Sequence, residues 1–159
     1  MQRILLALDA RGHADEAAAT VRAWMAQDRR LAVVMLYVTE IFLGRYPGPR
    51  LPMSYEMEVA QQMRERMERE LFRPWLARTE FVHKTGVSIP QVICETATAL
   101  ACDTIVLGGT PVHGVQRWLG PHLSRTILTR SALSVFVVRT TSLPYAPPIP
   151  WRQARQRGG

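Results

Sequence analysis

Apolar residues along this chain gather in short runs separated by longer amphipathic stretches. The first run, Arg3 to Leu8, is nearly continuous and is closed by Asp9. Continuity of this kind marks a strand buried on both faces, where a one-sided strand would alternate. Similar runs occur at Leu31 to Val38, Thr104 to Leu107 and Val135 to Val138, with a shorter one at Phe81 to His83. Between them the spacing turns helical. Ala17, Val21, Trp24 and Met25 share one face of a helix over about 14–26, and Asp15 and Glu16 favour its start through the helix dipole.

Ser54 is placed to cap a long helix reaching Arg78, with Ala60, Met63, Met67, Leu71 and Trp75 as its apolar stripe and a bend at Pro74. Core packing is favoured for that stripe over a methionine-rich groove for a partner. Two further helices are predicted, over 91–100 behind a turn at 86–90 with Ser88 as cap, and over 123–131. The segment 41–53 is a Gly- and Pro-rich loop, and 111–120 is a second loop. Strands alternating with helices imply an α/β fold: a five-stranded parallel sheet with helices on both faces, an open sheet of the flavodoxin or Rossmann type.

Length and charge refine this reading. A chain of 159 residues, 47% of them hydrophobic, suits one domain with a real core. That domain is expected over 1–139. Residues 140–159, rich in proline and arginine with little to bury, are expected to form a disordered tail. The formal charge is +7, carried by arginine, since Lys84 is the single lysine. The arginines are scattered or lie in the tail, so a solvated basic surface is favoured over nucleic-acid binding. Cys94 and Cys102 fit neither a redox pair nor a metal knuckle and read as free thiols. No apolar stretch approaches a membrane span, and no signal-peptide core precedes Asp9, so a cytoplasmic location is expected.

In an open parallel sheet, ligands bind beyond the carboxyl ends of the strands, where strand order reverses. Two segments qualify: Leu8-Asp9-Ala10 after the first strand and Gly108 to Gly120 after the fourth. Glycines there would let phosphates approach the backbone, and a following helix N-terminus would favour an anion. A tight strand-to-loop turn explains the same glycines equally well.

The order of elements, the ending Ala7-Leu8-Asp9, the stretch Asp103 to Gly108 and the closing Val135-Phe136-Val137-Val138-Arg139 resemble the universal stress protein family over about 2–139. The resemblance implies binding of ATP or AMP, with Mg²⁺ arriving only with the nucleotide. By position, Asp9 would accept from the ribose or adenine, Val38 would lie beside the base, Leu107 and Gly108 would lie under the nucleotide, and Gly120 would lead into the phosphate-facing helix. The resemblance also implies a homodimer formed through the last strand, Val135 to Val138.

The chain departs from the family motif. The second glycine of G-x-x-G falls on Pro111, and the expected Ser or Thr after Gly120 is Pro121. Proline has no amide hydrogen to offer a phosphate. The spacer to Gly120 is also one residue short. Gly109 or Gly114 could replace the missing glycine with a shifted loop, and His122 or Arg117 could return some donors or charge.

Other constellations are weaker. His113 and His122 lack a companion Cys or carboxylate, so no metal site is expected. Trp118 reads as a cover for the sheet end in preference to a nucleotide cap or a partner anchor. Asp9 stands without a second carboxylate, and no serine sits in a nucleophile elbow, so no catalysis is expected. The expected function is a regulatory stress-response protein with a degenerate adenine-nucleotide site, acting through a protein partner. The alternative is a working ATP or AMP binder, and the remaining reading is a nucleic-acid binder.

Overall fold

The computed structural model describes residues 2–9, 14–41, 53–109 and 121–139. Five strands, β1 (Arg3–Leu8), β2 (Ala32–Glu40), β3 (Thr79–Gly86), β4 (Thr104–Gly109) and β5 (Ser134–Arg139), form one sheet in the order β3-β2-β1-β4-β5. Every neighbouring pair is parallel. The helices are α1 (Asp15–Gln27), α2 (Met53–Arg66), α3 (Ile89–Ala99) and α4 (Pro121–Arg130). The α/β fold expected from the sequence is present. Among the described residues no helix is long and apolar enough to cross a membrane.

β1 is central, and Ile4, Leu5 and Leu6 are all wholly buried. Successive residues point to opposite faces, so the continuous run feeds two cores. Ile4, Leu6, Val33, Met35 and Val106 pack with Ala17, Val21 and Met25 of α1, with Ala60 of α2 and with Met67 just beyond it. Leu5, Val34, Leu36, Ile105 and Leu107 pack with Ile93 and Ala97 of α3 and Ile127 of α4. Each of these Val, Leu, Ile and Met side chains contributes about 1.5–3 kcal/mol of burial free energy.

The single helix expected to reach Arg78 is interrupted. α2 starts at Met53, which leaves Ser54 inside the first turn, and ends at Arg66. A π turn follows over Met67–Leu71 and a 3-10 turn over Arg73–Arg78. The amide of Phe72 donates to the Met67 carbonyl at 2.8 Å, a wider reach than an α-helical bond. The wider turn brings Phe72 into the same core as Met67, with both buried. Pro74 has no amide to bond back to Glu70, and its ring would crowd that carbonyl, so the α-helix stops before it.

Other boundaries also move. β3 is longer than the run at 81–83 because it pairs with β2 over its whole length, from Val33↔Thr79 to Glu40↔Gly86. α3 includes Pro90, which is tolerated in a first turn whose amides lack helical partners. Ser88 occupies its N-cap position but makes no side-chain cap.

α3 ends in a complete Schellman motif. Cys102 N donates to Ala97 O at 2.8 Å and Ala101 N to Thr98 O at 3.1 Å, with Ala101 in the left-handed region at φ 51°. The chain then enters β4 through Asp103. Its carboxylate accepts from the amides of Gln2 and Arg3 and, at 2.7 Å, from the Thr104 hydroxyl. Partial burial pushes the Asp103 carboxyl up, but these hydrogen bonds outweigh it and hold the group below its ordinary range.

Candidate functional site

The chain lays β1, β2 and β3 outward in one direction, then crosses back to place β4 on the other side of β1. Strand order therefore reverses between β1 and β4, and the crevice beyond their carboxyl ends is the natural ligand position. Ala7 pairs with Leu107, so Asp9, just past the end of β1, lies beside the Gly108–Gly109 end of β4. Leu107 is buried and Val38 half-buried, and both belong to the core on the α3 and α4 face. The structure thus brings Asp9, Val38, Leu107, Gly108 and Gly109 to one end of the sheet.

The Asp9 carboxylate accepts the Ala14 amide at 3.2 Å. Ala14 is the N-cap residue of α1 and has no side-chain oxygen of its own to offer. Asp9 accepts this amide from the strand end, beside the start of α1, where the helix dipole favours a negative charge.

Gly109 has a packing reason to lack a side chain. A Cβ there would meet Val137 Cγ1 at 2.9 Å, because β5 pairs with β4 at Gly109↔Arg139 and lays Val137 across it. Close approach of the neighbouring strand explains this glycine without a ligand.

α4 begins at Pro121, so the helix expected to face a phosphate opens on a residue without an amide hydrogen. Proline is well suited to a first helical position for conformational reasons. His122 follows it in the helix. Pro111, His113, Gly114, Arg117, Trp118 and Gly120 lie outside the described residues, as do His13, most of the 41–53 loop and the 140–159 tail.

Sequence reasoning missed a polar cluster at the carboxyl ends of β2 and β3. Tyr37 lies opposite His83, and their rings stack with centroids 5.5 Å apart. Thr39 Oγ1 lies 2.9 Å from His83 Nε2. From the first turn of α2, Glu56 accepts from the Tyr37 hydroxyl at 3.4 Å and from Thr39 at 3.5 Å. Burial first, then the charge and hydrogen bond of Glu56 and the charge of Asp9, push the Tyr37 hydroxyl far up, so it remains a donor. The tyrosine stands inside a run of strand type and His83 at a strand edge, so neither carries a motif in the sequence.

Both cysteines are free, and burial pushes each thiol up, which disfavours a reactive thiolate. Among the described residues no group of three or more His, Cys, Asp or Glu is arranged to hold a metal ion.

No curated protein sequence matches the chain significantly. Among solved structures, a universal stress family protein from Burkholderia pseudomallei is 17% identical with a TM-score of 0.60, covering 86% of this chain and 95% of its own. A universal stress protein in complex with cAMP is 14% identical with a TM-score of 0.57, covering 88% and 98%. One from Archaeoglobus fulgidus in complex with dAMP is 17% identical with a TM-score of 0.53, covering 86% and 97%. These likenesses establish the fold. The model of the universal stress protein family matches residues 1–139. The chain belongs to the universal stress protein family.

Proposed function

We propose that this protein is a regulatory stress-response protein whose adenine-nucleotide site is degenerate, and that it acts by binding a partner and not by catalysis. The observation that carries this reading is the opening of α4 on Pro121. A phosphate at a helix N-terminus is held by free amides, and here the first is absent. Pro111 removes a second candidate amide from the preceding loop. Each lost charge-assisted hydrogen bond costs about 1.5–3 kcal/mol, and two would weaken binding roughly a thousandfold. The occupation of Asp9 by the start of α1 and of the space at Gly109 by Val137 supports the same reading.

The partner includes a second copy of the chain, paired through β5. β5 is an edge strand whose Phe136 and Val137 are 46% and 39% exposed. The opposite edge, β3, shows solvent Glu80 and Lys84 instead. Charged residues blunt an edge, whereas an apolar edge favours strand-to-strand association.

The second reading is a functional ATP or AMP binder. It is favoured by the cAMP and dAMP complexes of similar proteins and by the convergence of Asp9, Val38 and Gly108 at the reversal of strand order. Calorimetric titration of the purified chain with ATP and Mg²⁺, after mass spectrometry for co-purified nucleotide, separates the two. Absence of heat and of bound nucleotide is expected. Micromolar binding would overturn the degenerate-site reading and establish the second.

A further inference from the structure

The Tyr37, Thr39, Glu56 and His83 cluster joins three elements at the same end of the sheet as Asp9. We propose that His83, Thr39 and Glu56 form a proton-gated latch that fastens the start of α2 to the carboxyl end of β2. The reasoning begins with hydrogen counting. A threonine hydroxyl has one hydrogen to donate. Thr39 Oγ1 faces the acceptor Glu56 Oε2 at 3.5 Å and, at 2.9 Å, His83 Nε2, which accepts or donates according to where the ring hydrogens sit.

When His83 is neutral its hydrogen can sit on either ring nitrogen. With Nε2 bare, Thr39 donates to the imidazole and Glu56 loses that donor; with the hydrogen on Nε2, the neutral ring donates to Thr39 and Glu56 keeps it, so neutral His83 closes the chain only part of the time. When His83 is charged, Nε2 always carries a hydrogen and donates to the Thr39 oxygen. The Thr39 hydrogen is then directed to Glu56, and a continuous chain runs from imidazolium to carboxylate. Glu56 lies in the first turn of α2, so tightening this chain holds that turn against β2.

An aromatic ring and several charged groups lie around the latch. The His83 ring stacks on Tyr37 at 5.5 Å, within the range at which a cation is attracted to an aromatic face. The titratable groups turned to the Tyr37 hydroxyl are Glu56 and Tyr55 from α2 and Asp9 from the end of β1. From the 3-10 turn, Arg78 is occupied by the carbonyls of Met25, Asp28 and Leu31. From α3, on the other face of β3, Glu95 accepts from Gln91. Lys84, the next residue of β3, is exposed.

The test is amide hydrogen exchange of Met57 to Ala60 in the full chain at pH 5.5 and pH 8, corrected for intrinsic rates. In the native protein, protection is expected to be about threefold greater at the lower pH, the scale of a partly exposed ion pair. In His83→Gln and in Glu56→Gln that pH dependence should disappear. Equal protection at both pH values in the native protein, or the same pH dependence in all three proteins, would overturn the latch. Both substitutions are at half-buried positions and near-isosteric, and a thermal melt of each confirms folding before exchange is read.

Discussion

Asp9 ends the central strand and holds the Ala14 amide at 3.2 Å, so one carboxylate serves both the candidate crevice and the start of α1. The two roles can be separated. Asp9→Ala should lower unfolding free energy by about 1 kcal/mol, the usual net value of one hydrogen bond. Asp9→Asn keeps an acceptor oxygen and should retain most of that stability. If the chain does bind ATP, both variants should lose affinity in calorimetry. Unchanged affinity in Asp9→Ala together with reduced stability would make Asp9 an anchor of α1 and nothing more.

Val137 over Gly109 makes a second prediction. Gly109→Ala places a methyl 2.9 Å from Val137 Cγ1 and should destabilise the fold by about 1–2 kcal/mol through overpacking. Trimming the neighbour in a Gly109→Ala, Val137→Ala double variant should recover part of the loss. Urea unfolding of the four proteins of this cycle measures the coupling. Strict additivity would show that the two positions do not touch.

Ala101 holds a left-handed conformation at φ 51° within the Schellman motif that ends α3. A side chain in that region costs about 1–2 kcal/mol, from which the greater flexibility of unfolded glycine subtracts part. Ala101→Gly should therefore raise stability by up to about 1 kcal/mol, seen as a higher urea midpoint with an unchanged slope. A lower midpoint would contradict the strain.

Asp103 joins the starts of β1 and β4, and its folded carboxyl is held below the ordinary range. A depressed carboxyl contributes stability that is present above its unfolded value, near pH 4, and is lost as pH falls through the lower folded value. Asp103→Asn should destabilise the protein at pH 7, and the gap from the native chain should close toward pH 3. A gap that persists at pH 3 would assign the effect to shape and not to charge.

Val137→Lys tests the β5 edge. A lysine on an apolar edge strand opposes pairing with a second copy. Light scattering should report a dimer for the native chain and a monomer for the variant. A native monomer, or a dimer that survives the substitution, would place self-association elsewhere or remove it.

The runs at Arg3 to Leu8 and Thr104 to Leu107, and the helical spacing of Ala17, Val21 and Met25, determined the parallel α/β sheet from the sequence alone. Such patterns record which faces are buried, and burial is what strand and helix periodicity express. Asp9 and Gly108 were legible as site candidates for the same reason, since each directly follows a recognisable strand. Only the tertiary structure decided what those residues touch. Asp9 reaches Ala14 because α1 folds back over β1, and Gly109 is crowded because β5 lies beside β4 in the sheet. The break of the long helix at Met67 answers to the burial of Phe72, which a pattern of periodicity does not record. Tyr37 and His83 meet through the β2 and β3 register, and Glu56 joins them when α2 packs on the sheet. Contacts across strands depend on register and layer packing, and these are properties of the assembled sheet and not of any local stretch of chain.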